Sequence, residues 1–216
     1  LAEQLSDIGF LFLKDQKKLH RKSKPSEDST GDGLLEILGE EFNSNSKSIK
    51  VVRAVLCAGF YPNAVFIDSN TRYQQTAHGT IVAANEAREM KMYLKSRQRV
   101  FLHPKSINFI QNKYESPWMV FHDKMQTTKS FIMDATMISP YPLLMFGGGR
   151  NRLLVNHEQQ QISLDEWLAF ECPSRIGLLL REIRAELDKL LEDKIKNPSL
   201  DISNTTLIQA ITELVA

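Results

Sequence analysis

Trp118-Met119-Val120-Phe121-His122-Asp123-Lys124-Met125, followed after a polar turn by Phe131-Ile132-Met133-Asp134-Ala135-Thr136, is the part of the chain that decides the fold class. Successive side chains of a strand point to opposite faces, so alternation puts Trp118, Val120, His122 and Lys124 on one face, apolar at one end and polar at the other. Val65-Phe66-Ile67 and Val100-Phe101-Leu102 are β-prone runs of the same kind, and Arg152–Val155 and Glu166–Phe170 are expected to complete the sheet. About five short strands interrupted by one helical piece point to a small Greek-key barrel in an α+β chain.

Helical patterning flanks this region on both sides. Leu5–Leu11 reads as a helix end running into a turn. A helix is expected over Ile49–Ala58, capped by Ser46 or Ser48, buried along Val51, Val52, Val55 and Leu56, closed by a left-handed Gly59 and stopped by Pro62. Arg21–Gly33 is almost free of apolar residues and reads as a mobile insertion. Leu143–Phe146 before Gly147-Gly148-Gly149 fits a short helix stopped by glycine. From Ser174, the residues Ile176, Leu179, Leu180, Ile183, Leu187, Leu190 and Leu191 recur at helical spacing until Asn197-Pro198. A last helix with the stripe Leu207, Ile208, Ile211, Leu214 and Val215 is expected to start at Ser203 or Asn204.

The 216 residues are 42% hydrophobic, enough for a proper core. No apolar run approaches the roughly 18 to 20 residues that a membrane span needs, and the expectation is an intracellular chain. Cys57 and Cys172 lie far apart in apolar surroundings and read as buried thiols. The net charge is only +1, yet between Arg88 and Lys129 nine basic residues (Arg88, Lys91, Lys95, Arg97, Arg99, Lys105, Lys113, Lys124, Lys129) meet only Glu89, Glu115 and Asp123. Such a stretch either follows a phosphate backbone or forms a solvated face balanced by acidic neighbours.

Chemistry-bearing motifs are mostly absent. There is no phosphate-binding loop with its lysine and hydroxyl, and Gly147-Gly148-Gly149-Arg150 lacks both. Asp165-Glu166-Trp167-Leu168 begins Asp-Glu, but no histidine follows in place. The five histidines lack zinc-ligand spacing, and no serine sits in a nucleophile elbow. No catalytic centre, metal or cofactor is therefore expected in this chain.

The constellation that stands out is Arg99-Val-Phe-Leu-His-Pro-Lys-Ser-Ile-Asn-Phe109. A strand leads into His103-Pro104-Lys105-Ser106, where proline stiffens a turn bearing an imidazole, a cation and a hydroxyl. On one reading, Lys105 meets phosphate, Ser106 and Asn108 bond sugar or base edges, and His103 stacks on RNA. On the other, Ser106 and Asn108 satisfy their own turn with His103 packed beneath.

Val52-Arg-Ala-Val-Leu-Cys-Ala-Gly-Phe-Tyr-Pro-Asn63, Phe101–Asn108, Ser116-Pro117-Trp118, Pro142–Gly148 and Leu190–Pro198 occur in that order. Taken together they resemble the region after the motor in DExH-box RNA helicases of the DEAH/RHA class. The resemblance implies the end of a helical ratchet-like domain over 1–60, an OB-fold over 61–172 and a C-terminal helical extension over 173–216. It implies single-stranded RNA as ligand, with the His103–Ser106 turn and the hairpin Lys124-Met125-Gln126-Thr127-Thr128-Lys129 facing the RNA channel or the motor, and Arg97 and Arg99 adding electrostatic capture. The RecA-like domains of a longer parent would bind ATP and Mg; further implied partners are a G-patch or ribosome-associated protein, and no membrane. The second function carried is a protein-docking module for the motor or an activating partner. The expected compartment is cytoplasmic, with the nucleus as alternative.

Overall fold

The structure, a computed structural model, describes residues 2–10, 44–68, 73–76, 79–82, 90–111, 114–149 and 152–216. The insertion expected at 21–33, and Arg88, Lys113 and Arg150, lie outside the described residues. Contacts divide the chain into two compact units, Leu1–Val52 with Ile183–Leu214 and Ala216, and Arg53–Glu182 with Val215.

The larger unit is built on a closed barrel of β1 (Ala64–Asp68), β4 (Lys91–Tyr93), β5 (Arg99–Leu102), β6 (Trp118–Gln126) and β7 (Ser130–Met137). β2 (Tyr73–Thr76) and β3 (Gly79–Val82) form a separate two-stranded hairpin between β1 and β4. Around the barrel the order is β1-β4-β5-β7-β6, returning to β1, which is the OB topology. All pairs are antiparallel except β5 with β7. Val65, Ile67, Met92, Val100, Leu102, Met119, Phe121 and Ile132 fill the interior, as strand alternation requires.

Closure leaves no edge for a sixth strand, and this overturns one expectation. The runs at 153–156 and 168–171 do not complete the barrel. They are β8 (Leu153–Asn156) and β10 (Leu168–Glu171), which pair with β9 (Gln161–Leu164) in a three-stranded antiparallel sheet. The fifth barrel strand is β4, whose three residues are too short for any periodicity to announce.

The alternation read along Trp118–Lys124 also breaks. The β6–β7 register holds to Phe121↔Ala135 and resumes at Asp123↔Met133, with Asp134 between them at φ 51. Phe121 and Ala135 lie in the core, but so does Ile132, the partner of Lys124. A single distorted position thus inverts the two faces. Trp118 and Val120 look outward, whereas Lys124 belongs to the core-facing side, exposed where the strands outrun the core.

α1 (Ala2–Asp7) ends in a turn with Gly9 at φ 79. α2 (Ile49–Phe60) begins after Ser48, whose carbonyl accepts the Val52 amide. It buries Ala54 and Cys57 and leaves Val51 and Leu56 half-buried, while Val52 and Val55 are exposed, so the expected buried face is only partly covered. Gly59 lies inside the helix without a left-handed backbone, and the chain stops at Phe60 because Pro62 offers no amide. α3 (Pro140–Phe146) ends at Gly147 and turns at Gly148, φ 65. α4 (Ser174–Lys196) buries Gly177, Leu180, Arg184 and Leu187, leaving Ile176, Leu179 and Leu191 exposed. In its last turn Lys194 donates to the carbonyls of Pro198 at 2.5 Å and Leu200 at 2.8 Å, both beyond the helix end, and lies over the Phe10 ring. α5 (Thr206–Val215) is capped by Thr205, later than expected, through the Ile208 amide at 3.4 Å. Among the described residues no helix is long and apolar enough to cross a membrane.

Two predictions follow from packing. A Cβ on Gly147 would meet the Leu143 carbonyl at 2.5 Å and Leu164 at 2.6 Å, so Gly147→Ala is expected to destabilise by about 1–3 kcal/mol. Gly59 has open space in a helix, and Gly59→Ala is expected to stabilise by about 0.5–1 kcal/mol; urea denaturation of both variants checks the opposite signs.

Burial pushes the Cys57 thiol from 9.0 up to about 12. Because the folded value lies above the unfolded one, its contribution is complete below pH 9 and is lost as pH rises through 12. Denaturation midpoints measured from pH 8 to 11 should fall less steeply in Cys57→Ala than in the parent.

Candidate nucleic-acid interface

Two strands that meet in parallel create the main candidate surface. On β5, alternation turns Val100 and Leu102 inward and Arg99, Phe101 and then His103 outward. The parallel register sets Phe101 beside Phe131, and the antiparallel one sets Phe131 beside Met125. The Phe101 and Phe131 rings are 6.2 Å apart, and His103 meets Phe131 edge-on at 5.9 Å. The Arg99 guanidinium and the Lys129 ammonium each sit 4.9 Å from the Phe101 ring centre. An aromatic row with cations on it offers stacking surface for bases and positive charge for phosphates.

The turn after β5 is organised by its own side chains. His103 Nδ1 accepts the Lys105 amide at 3.2 Å, so a neutral His103 carries its proton on Nε2. Ser106 Oγ accepts the Asn108 amide and caps a single 3-10 turn, Ile107–Ile110. Asn108 is buried; its side-chain amide donates to the Ala135 carbonyl at 2.6 Å, and its own carbonyl accepts from Tyr114 at 2.7 Å. Burial pushes the Tyr114 phenol up to about 12, keeping it a donor. Asn108 is therefore occupied within the fold and does not reach a ligand outside it. Lys105 is exposed on the turn.

The remaining expected site residues divide. Thr127 bonds Lys129 across the β6–β7 turn, its amide to the Lys129 carbonyl at 2.9 Å, and Thr128 is exposed at the tip. Lys124 leaves the aromatic row: its ammonium donates to Gln98 Oε1 at 3.4 Å, Gln98 donates to Ser130 at 2.8 Å, and Ser130 in turn donates to Gln126. Arg97, at φ 60 in the β4–β5 turn, lines a different cavity. Among the described residues the basic run thus splits between surfaces and does not form one stripe. Phe101, Phe131 and Met125 are the members that sequence reasoning missed. Phe101 was legible from the alternation of Arg99 and His103, but Phe131 joins only through the parallel pairing. Among the described residues no group of three or more His, Cys, Asp or Glu is placed to hold a metal.

With this geometry in view, residues 52–149 match the family model for the oligonucleotide/oligosaccharide-binding (OB)-fold and residues 160–216 that for the C-terminal domain in RNA helicases. The chain is 37% identical over 221 residues to a human protein named as an ATP-dependent RNA helicase, DHX57, an alignment that takes in 99% of this chain and 16% of the relative. It is 35% identical over 181 residues to the human ATP-dependent DNA/RNA helicase DHX36, covering 81% of this chain and 17% of the relative. It is 34% identical over 214 residues to the Arabidopsis thaliana DExH-box ATP-dependent RNA helicase DExH1, covering 98% of this chain and 17% of the relative. The chain spans about one sixth of the length of these curated relatives.

Removing the Asn108 amide strands the Ala135 carbonyl in the interior. Asn108→Ala is expected to lower unfolding free energy by about 1–3 kcal/mol, read by urea denaturation, whereas an Asn108 that served only a ligand would leave stability unchanged.

Proposed function

We propose, from the premise that this chain belongs to the C-terminal region of DExH-box RNA helicases, that its OB barrel holds single-stranded RNA without sequence preference for a helicase motor. The observation that carries this reading is the Phe101 ring with Arg99 and Lys129 over it and Phe131 and His103 extending the row. Bases stack on the rings while the cations, with Lys105 on the adjoining turn and Thr127 and Thr128 at the hairpin, meet the backbone. Ser106 supports the turn that presents Lys105. Lys124 and Arg97 contribute through long-range field only.

In this reading the chain supplies no ATPase chemistry and needs no cofactor of its own. ATP and Mg belong to RecA-like domains of a longer parent, and 1–60, 61–172 and 173–216 act as ratchet-like end, OB-fold and helical extension. The working compartment is the cytoplasm. A second reading, a docking face for the motor or a G-patch or ribosome-associated protein, is favoured by Ile107 and Ile110, each 81% exposed beside the same turn.

The test is fluorescence anisotropy of a labelled single-stranded RNA across a salt series. Binding should weaken as salt rises, and Arg99→Gln or Lys129→Gln should each flatten the log–log slope by about 0.7. Phe101→Ala should weaken binding by about 1–3 kcal/mol at constant slope. Negligible binding at low salt, or binding indifferent to all three changes, would overturn the RNA reading in favour of docking.

A further inference from the structure

A second aromatic site lies on the barrel wall made by β1, β4 and β6. Strand register places Tyr93, Phe66 and Trp118 side by side, with the Phe66 and Trp118 rings 4.7 Å apart. Trp167, in the turn just before β10, stands perpendicular to Trp118 at 6.1 Å. Between them opens a cavity of about 580 Å3, a size that suits a nucleotide, with Arg97, Lys95 and Glu166 among its lining residues.

Two of those charges sit where the backbone disfavours them. Arg97 at φ 60 and Glu166 at φ 65 each occupy a tight turn, closed by Arg97 N to Leu94 O at 2.9 Å and by Trp167 N to Leu164 O at 3.3 Å. Left-handed turn positions favour Gly, Asn or Asp, and a long side chain there adds nothing to the turn itself. Asp165 holds the second turn in place: it accepts from Tyr61 and lies 3.7 Å from Arg152 and 4.0 Å from Lys95. Among the described residues the Glu166 carboxylate has no hydrogen bond or ion pair, and neither does the Arg97 guanidinium; although both line the cavity, they do not pair with each other.

We propose that this cavity binds a guanine nucleotide unit. Aromatic walls take the flat base. A carboxylate only accepts hydrogen bonds, and guanine alone among the four RNA bases offers two adjacent donors, N1–H and N2–H, on its pairing edge. Adenine, cytosine and uracil each set an acceptor against one carboxylate oxygen. The Arg97 fork matches phosphate oxygens at the cavity rim. The site shares no residue with the Phe101 row and stands or falls separately from it. A free mononucleotide and a guanine within a single strand present the same groups.

Both tryptophans of the chain, Trp118 and Trp167, line the cavity, so intrinsic emission excited at the red edge reports on it alone. The full chain is titrated with GMP, AMP, guanosine, an oligouridine and the same oligouridine carrying one central guanine. GMP is expected to quench saturably, about tenfold or more tighter than AMP. Guanosine should bind more weakly than GMP. Glu166→Gly should abolish the preference for GMP over AMP, and Arg97→Gly that for GMP over guanosine, while thermal midpoints hold or rise because glycine suits both backbones. Arg99→Gln with Lys129→Gln should leave GMP quenching intact even if it removes RNA binding. Quenching by the guanine-bearing oligonucleotide alone, still dependent on Glu166, assigns the site to a strand; quenching by GMP assigns it to a free nucleotide as well. Equal response to GMP and AMP, unchanged GMP binding by Glu166→Gly, or no saturable quenching by any guanine ligand would overturn the proposal.

Discussion

Closing five strands into a barrel requires one pair that no hairpin can make, and here it is the parallel contact of Arg99–Leu102 with Ser130–Met137. Phe101↔Phe131 and Leu102↔Ile132 are fixed together by that register. Since neighbouring residues point to opposite faces, the pair that seals the core with Leu102 and Ile132 also sets Phe101 and Phe131 side by side outside. Core closure and the aromatic row are consequences of the same backbone hydrogen bonds. A slip of β7 by one residue would bury Phe131 and expose Ile132, leaving Phe101 without its neighbour and Leu102 without its core partner.

The same logic sorts the cations. Arg99 shares the outward face of β5 with Phe101, and Lys129 reaches that ring from the β6–β7 turn. Lys124 lies only five positions before Lys129, but the distortion opposite Asp134 puts it on the other side of the sheet, tied to Gln98. Arg97 precedes Arg99 by two residues and would share its face on an unbroken strand. Its left-handed backbone places it in the turn, where it joins the tryptophan cavity instead. Charge density along a sequence thus converts into a surface potential only after each turn and bulge has chosen a side.

Much of the architecture was legible because it rests on local physics. Four of the five barrel strands lie in runs of β-branched, aromatic and aliphatic residues, and the helix from Ser174 ends where Asn197-Pro198 forbids continuation. Lys91–Tyr93 was not legible, because three residues carry no period. The strands at 153–156 and 168–171 were recognisable as strands but not as a separate sheet, since pairing partners leave no local trace. The buried face of Ile49–Phe60 was misread in part for a related reason: Val52 and Val55 are as apolar as the residues beside them, and only packing decides which stripe is covered.

The sequence by itself determined which segments extend and which coil, the family to which they belong, and the cluster of chemistry around Arg99–Phe109. Tertiary structure alone decided that Asn108 is spent on the Ala135 carbonyl, that Phe131 joins Phe101, and that Trp118 and Trp167 enclose one cavity with Arg97 and Glu166 on its walls. The division has a physical cause. Backbone propensity and periodicity act over a few residues and are written in order along the chain, whereas a site is made by side chains brought together across strands, where register, a bulge or one positive φ settles which way each of them points.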